Sequence, residues 1–481
     1  MGGFIFMNKP TIIVPNISAL NKIFENDPPS RSGLNQEKLL YIISFVFNHQ
    51  MKIYESDYGD DDYAVTISSK MFQSVLGRTY KISFDYLCNN GILELVSKHF
   101  SGVTCRKYVL KAKFSIEPSF YTIKNFAFGK TLKGRLNKKE KIKYPYFNKW
   151  LKLIEFDAEY ATVFNNLLFE SRKNYLPFQT ISKKNRKNLS NPLNQFTHGQ
   201  TSVLKLQNKY DKTTVDEKGM RLHSSLTSCP KLLRNFITID GQHLVSIDLK
   251  NSQPYMLLAL LDPNNFKKKS VSSNPHLSIP ISLLSTYNIP SIILRHSSVI
   301  QSSKEFQEYK KLVTTGKIYD EFVKLAHIDK KELDIGFSKR DIVKFRFMLC
   351  FYSANNSISQ GMKTLFRSKF PKIYTLMCDL KQKDHSTLSI LLQRVESTLV
   401  LDKICGRISS EFPKIPLFTI HDSILTTPNN VEYVKSIIEE ECEKYIGIAP
   451  MLSIELCSPK ENKKILEDME KELVPKFQAN S

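Results

Sequence analysis

No Cys-x-x-Cys pair occurs in this chain, and none of its eight cysteines stands at zinc-site spacing from a histidine. That excludes a zinc finger or ribbon. Cys88, Cys105, Cys229, Cys350, Cys378, Cys405, Cys442 and Cys457 are scattered singly, as expected of reduced core thiols in a cytoplasmic protein. No uninterrupted run of eighteen apolar residues is present, so no membrane span is expected. Met1 to Pro15 lacks the apolar stretch of a signal peptide. Internal repeats and low-complexity tracts are missing as well. Acid is scarce: 47 Asp and Glu stand against 69 Lys and Arg, a net charge of +22. The excess is spread along the whole chain, which points to a polyanionic partner, nucleic acid first. A solvated basic surface is the plainer reading, and an anionic membrane comes third.

What is present suffices for more than one core. With 481 residues, 41% hydrophobic and 11% aromatic, two or three domains are expected. Residues 1–33, short and Pro/Ser-containing, read as an extended arm. Residues 34–115 read as helix, helix, helix and a two-stranded wing. Asn35 to about Gln50, with Leu39, Leu40, Ile43, Phe45 and Val46 apolar, give the first helix and Thr66 to Arg78 the second. About Ser83 to Asn90 gives the third, closed by Asn90-Gly91. Ile92–Val96 and Arg106–Leu110 alternate as strands around Ser101-Gly102. This is a winged-helix pattern suited to DNA, or equally to a structural or protein-binding role. Residues 116–215 are basic and helical, with Trp150, Leu151, Leu153, Ile154 and Phe156 as an apolar stripe. The run Lys183, Lys184, Arg186, Lys187 is either a solvated loop or a contact to phosphates. Residues 216–475 hold the chemistry, apart from a Ser/Pro-rich stretch, Asn264 to Lys304, that has no assigned role.

Two segments carry an acid out of an apolar, β-branched run: Val245-Ser246-Ile247-Asp248 and Phe418-Thr419-Ile420-His421-Asp422-Ser423. A carboxylate at the edge of a core is costly unless it is used. Two on neighbouring strands make a hard oxygen site for divalent cations, the arrangement of phosphoryl transfer. Taken singly, each is equally well a cap or turn residue. Arg340, Lys344, Met348 and Tyr352 recur every four residues, so they share one helical face. Gly219-Met220-Arg221-Leu222-His223-Ser224-Ser225 precedes both acids, and Leu392-Gln393-Arg394 lies before the second.

These four segments, in this order over about residues 216–430, resemble the family-A DNA polymerases and the related single-subunit phage and mitochondrial RNA polymerases. The resemblance implies an α+β right-hand palm and fingers, a helical thumb-like region before the palm, and no sign of a 3′–5′ exonuclease domain. It implies that Asp248 and Asp422 hold two Mg²⁺ ions, with Mn²⁺ as a substitute. Arg340 and Lys344 then hold the triphosphate, Lys344 also giving a proton to pyrophosphate. Met348 and Tyr352 lie by the nascent base pair, Tyr352 stacking there or packing in the core. Gln253 falls where the DNA polymerases carry a sugar-excluding glutamate. Arg221, Ser224 and Gln393 are placed near primer and template. His421 either meets the primer end or is a satisfied core histidine.

The departures bear on the sugar. Gln253 is an amide that excludes a 2′-hydroxyl neither by charge nor by bulk, and Pro254 after it is expected to disturb a helix register. Ser423 matches the phage RNA polymerases. The expectation is a template-directed nucleotidyltransferase acting on a DNA primer-template with nucleoside triphosphates, most simply a DNA polymerase of a phage, plasmid or other mobile element. An RNA polymerase or primase is the alternative, and a non-enzymatic DNA-binding replication initiator the third reading.

Overall fold

The computed structural model describes residues 10–32, 34–55, 64–78, 80–97, 105–136, 143–173, 192–209, 213–262, 289–328, 338–357 and 361–463. The Ser56–Asp62 stretch, the Ser101-Gly102 turn, the Lys183–Lys187 run and residues 264–288 of the unassigned stretch lie outside them. Helices and sheets are mixed around two hydrophobic cores.

The first core begins earlier and ends later than the sequence suggests. Residues 1–33 were expected to be an extended arm. Instead Thr11–Val14 form strand β1 and Ile17–Asn26 helix α1, which bury Val14 and Leu20 completely. The side chain of Asn16 caps α1 by accepting the Ala19 N–H at 3.2 Å. Next come α2 (Gln36–Glu55), β2 (Val65–Thr66), α3 (Ser69–Leu76), α4 (Tyr80–Asn89), β3 (Leu93–Ser97) and β4 (Lys107–Leu110). The three strands form an antiparallel sheet in the order β2-β4-β3. Thr66 is not a helix start: it pairs with Lys107, and Ser68 caps α3 through the Met71 N–H. Helix α4 ends as its sequence foretells. Gly91 takes φ +64°, and N–H groups of Gly91 and Ile92 return to the Cys88 and Leu87 carbonyls at 2.9 Å each. The expected boundary at 115 does not hold either. Strand β5 (Ser119–Thr122) pairs antiparallel with β1, and α5 (Phe126–Leu136) sends Phe128 and Leu132 into the same core.

The second core holds the rest. Helix α6 (Pro145–Leu153) buries Phe147, Trp150 and Leu151, whereas Leu153, expected in the same stripe, is 51% exposed. Strand β6 (Glu155–Phe156) leads to α7 (Ala158–Lys173), which packs against α8 (Pro192–Gln207). They approach so closely that Asn165 occupies the space a Gly199 side chain would need. Strands β7 (Thr214–Val215) and β8 (Leu222–His223) form a short ribbon. After α9 (Lys231–Arg234), β9 (Ile237–Ile239) and β10 (Gln242–His243) join β6 in the order β10-β9-β6.

The central sheet is antiparallel in the order β12-β13-β11-β14, from β11 (Val245–Leu249), β12 (Phe418–Ile420), β13 (Ser423–Thr426) and β14 (Leu452–Leu456). Directly after β11, helix α10 (Ser252–Leu261) buries every residue from Gln253 to Leu261. A helix apolar on all sides belongs in the middle of a core, and α10 packs on four others. Pro254 does not disturb it, because it sits in the first turn, where its missing N–H is not needed. Helices α11 (Ile289–Gln301), α12 (Lys304–Thr314), α13 (Ile318–Leu325), α14 (Lys339–Tyr352), α15 (Met362–Lys369) and α16 (Pro371–Leu380) follow. Their core is aromatic, with Phe347 against Phe322 and Phe366 at 5.0 and 5.4 Å between ring centres. A long rod then returns to the sheet: α17 (Ser386–Ser397), a π-helical segment Thr398–Cys405, and α18 (Gly406–Glu411). Tyr146 donates to the Leu401 carbonyl inside the π segment at 2.9 Å, and Tyr144 to Asp402 at 2.7 Å. Helix α19 (Val431–Ile446) backs the sheet. No described helix is long and apolar enough to cross a membrane.

Candidate active site

Asp248 lies near the end of β11, opposite Ser423 on one side and Ser453 on the other. Ser423 donates its hydroxyl to Asp248 Oδ1 at 2.5 Å. Asp422 is not on a strand, as its sequence suggests, but in the two-residue turn of the β12–β13 hairpin. His421 beside it takes φ +56° there. The turn places Asp422 next to the residue that pairs with Asp248, so both carboxylates meet at one end of the sheet. Ser252, the first residue of α10, hydrogen-bonds Asp422. Burial and the Asp248 charge together raise the Asp422 pKa, the mark of two carboxylates sharing a site. Among the described residues no cluster of three or more His, Cys, Asp or Glu stands at metal-binding distance. The pair nevertheless fits Mg²⁺, which is commonly held by one or two carboxylates plus substrate phosphates.

Around the pair, buried polar atoms stand without a partner: Asn251 Nδ2, Gln253 Oε1 and His421 Nδ1. Such orphans are rare in a finished core and need an explanation. Burial, with Arg221, His223 and Arg234 nearby, lowers the His421 pKa to about 4. The ring is therefore neutral at physiological pH.

One carboxylate escaped sequence reading. Glu396, on α17, is buried with its side chain only 1% exposed. Its Oε1 accepts two bonds from Arg221, from Nε at 2.9 Å and Nη2 at 2.7 Å, while Oε2 accepts the Gln253 amide. Arg221 and Gln253 are thus joined to each other through Glu396. Burial raises the Glu396 pKa to about 7, with Arg221 pulling it down and Asp422 pushing it up. Arg221 is aimed by a turn built on Asp216. That carboxylate accepts the Gly219 N–H at 2.6 Å and the Arg221 N–H at 2.8 Å. Burial works the other way, yet these bonds and His223 hold the Asp216 pKa well below the usual carboxylate range. Gln393 packs on the same turn, so that a methyl on Gly219 would come within 2.6 Å of its Oε1. Ser224 closes a local turn with Thr227.

Helix α14 presents the four-residue ladder as its spacing predicts. Ser338 caps it through the Asp341 N–H. Lys344 is exposed on it. Arg340 pairs with Asp320 at 2.9 Å and lies over the Tyr319 ring. Met348 and Tyr352 are half-buried, and Met348 Sδ accepts the Tyr319 hydroxyl at 3.7 Å. Tyr352 and Asp422 both lie within electrostatic reach of Arg221. Asp248, Asp422, Arg221, Gln253, His421 and Tyr352 are therefore brought together. Among the described residues no hydrogen bond or ion pair joins Arg340 or Lys344 to the aspartates.

No family model and no curated protein matches the chain. Among solved structures it is similar to the POL domain of Pol1 from M. smegmatis, in complex with DNA primer-template and dNTP. That similarity has 11% identity and a TM-score of 0.28, over 56% of this chain and 54% of that one. The chain thus spans about half the length of that structure.

Proposed function

We propose that the chain is a template-directed nucleotidyltransferase, a DNA polymerase with a palm, fingers and thumb-like region and an N-terminal winged helix. The observation that carries this reading is the meeting of Asp248 and Asp422 at one end of an antiparallel sheet, with Arg221 and Tyr352 beside them. Asp248 and Asp422 would hold the divalent ions. When bound, these supply charge neutralisation at the triphosphate and activation of the attacking hydroxyl. Ser423 and Ser252 orient the two carboxylates. Lys344 and Arg340 offer positive charge from the exposed face of α14 to an incoming triphosphate. Tyr352 ends that helix on the side of Arg221 and supplies a stacking surface for a base pair. The packed pair α7 and α8, ahead of the central sheet in the chain, supports the thumb-like reading. The order α2-β2-α3-α4-β3-β4 supports the winged-helix reading, in which the exposed Lys81, Ile82, Asp85 and Asn89 of α4 would meet a duplex.

One observation bears on the sugar. Gln253 is buried, with its amide NH2 on Glu396 and its Oε1 without a partner, so no carboxylate of its own stands there against a 2′-hydroxyl. Incorporation of dNTP and rNTP on one primed template with Mg²⁺ tests both points. Template-dependent extension is expected from the wild-type chain and a loss of about a thousandfold or more from Asp248→Asn or Asp422→Asn. Unchanged activity in those variants refutes the site. Extension with rNTP alone and no primer assigns the chain to the RNA polymerase or primase class.

A further inference from the structure

Helix α14 ends at Tyr352, and its last carbonyls lack partners within the helix, as at any helix end. Two buried lysines meet this end of the chain segment, Lys381 at a carbonyl of the helix's last turn and Lys363 at the loop that follows it. Lys381, which follows α16, is 3% exposed and donates from Nζ to the Cys350 carbonyl at 2.5 Å and the Ser353 carbonyl at 3.2 Å. Lys363, on α15, is 7% exposed and donates to the carbonyls of Ala354 and, at 3.1 Å, Ser357, and to the Ser357 hydroxyl at 2.7 Å. The carbonyls that Lys381 grips lie on either side of Tyr352. A cation is well placed at a helix C-terminus, but burying an ammonium is expensive, and an apolar side chain fills such a space at lower cost. Two ammoniums wrapped in backbone oxygen therefore make a specific fixture rather than a generic filler.

We propose that Lys381 and Lys363 are positioning residues, holding the C-terminal turn of α14, and with it Tyr352, in the geometry that nucleotide transfer requires. The kinetic part of this rests on the polymerase reading above; the clamp itself does not. Burial lowers the Lys381 pKa to about 8, with Lys363 lowering it further while Cys378 and Cys350 oppose. These groups face it from α15, α16 and α14, and Tyr374 stands behind Cys378 with Arg367 near it. The ordinary lysine value is 10.5, so the folded chain releases this proton first. Between about pH 8 and 10.5 the burial cost is relieved and folding stability rises, while the clamp loses its charge. Activity and stability are thus expected to move in opposite directions.

The test uses the full chain and Lys381→Met and Lys363→Met. In primer extension each variant is expected to lose about tenfold in kcat, with the primer-template Kd within about twofold of wild type. Wild-type activity falls above pH 8, and the Lys381→Met profile stays flat there. In native-state hydrogen exchange the amides of Ser353 and Ser357, which bond the Leu349 and Ala354 carbonyls, exchange faster in the variants. Wild-type kcat in both variants, or the same alkaline fall in Lys381→Met, overturns the positioning role. Loss of cooperative unfolding in both variants also overturns it, making the lysines fold residues. A wild-type chain that incorporates no nucleotide refutes the polymerase reading alone; the clamp is then decided by exchange, and unchanged protection refutes it.

Discussion

Replacing Glu396 by Gln keeps the shape of the side chain and removes its titration, so its effect should depend on pH in a calculable way. The folded pKa of about 7 lies above the ordinary 4.5 because the carboxyl is buried. The folded chain therefore binds this proton more tightly than the unfolded chain does. The stabilisation is complete below about pH 4.5 and lost as pH rises through 7. A gap of about 2.5 pH units corresponds to about 3 kcal/mol. Wild type should consequently lose about 3 kcal/mol between pH 4.5 and 8 that Glu396→Gln does not lose. Trp150 is the chain's single tryptophan and lies in the same core as α17, so its fluorescence follows the relevant unfolding transition. The difference in Tm between the two proteins should change by about 3–4 °C from pH 5 to pH 8, the wild type being relatively more stable at pH 5. A difference that stays constant, or changes in the other direction, refutes the buried carboxylate and its pairing.

Ser423→Ala removes the donor to Asp248 and is expected to raise the Mg²⁺ concentration for half-maximal incorporation by about tenfold; an unchanged Mg²⁺ titration argues against Asp248 as a ligand. Gly199→Ala puts a methyl 2.1 Å from Asn165 Oδ1. It should cost about 1–3 kcal/mol by overpacking α7 against α8, read by thermal unfolding, and a neutral result would contradict their close approach.

Much of the placement of the candidate residues was legible because its signals are local. A four-residue ladder needs only helical spacing, and Ser338 and Ser353 bound the helix that carries it. An acid ending a β-branched run announces Asp248. Glu396 left no such sign, since a single acid inside a helix looks like a solvated face, and its partners are 175 and 143 residues away. Arg221 and Gln253 were therefore read as substrate contacts, whereas their mutual link through Glu396 became visible only in three dimensions. The first core shows the same limit. Strand β1 is four residues long and has its partner beyond residue 118, so its pairing has no short-range pattern. Asp422 was assigned to a strand because the apolar, β-branched run Phe418-Thr419-Ile420 leads into it. The +56° φ of His421 lies in the left-handed region, which histidine enters more readily than most residues but which the β-branched run before it does not announce.

The π-helical segment between α17 and α18 sets the phase of the whole rod. On its near side Glu396 and Ser397 face the turn that aims Arg221, Ser397 donating to the Gly219 carbonyl at 3.0 Å. Within it, Leu401 faces Tyr146 of α6 and Asp402 faces Tyr144, the residue before that helix. An α-helix advances about 100° per residue, so deleting one residue between 398 and 405 would rotate one half of the rod against the other by about that angle. Either the carboxylate would leave Arg221 or the tyrosines would lose their acceptors. The rod thus works as a spacer with a fixed tooth count, and changes of length are tolerated there far less than changes of side chain.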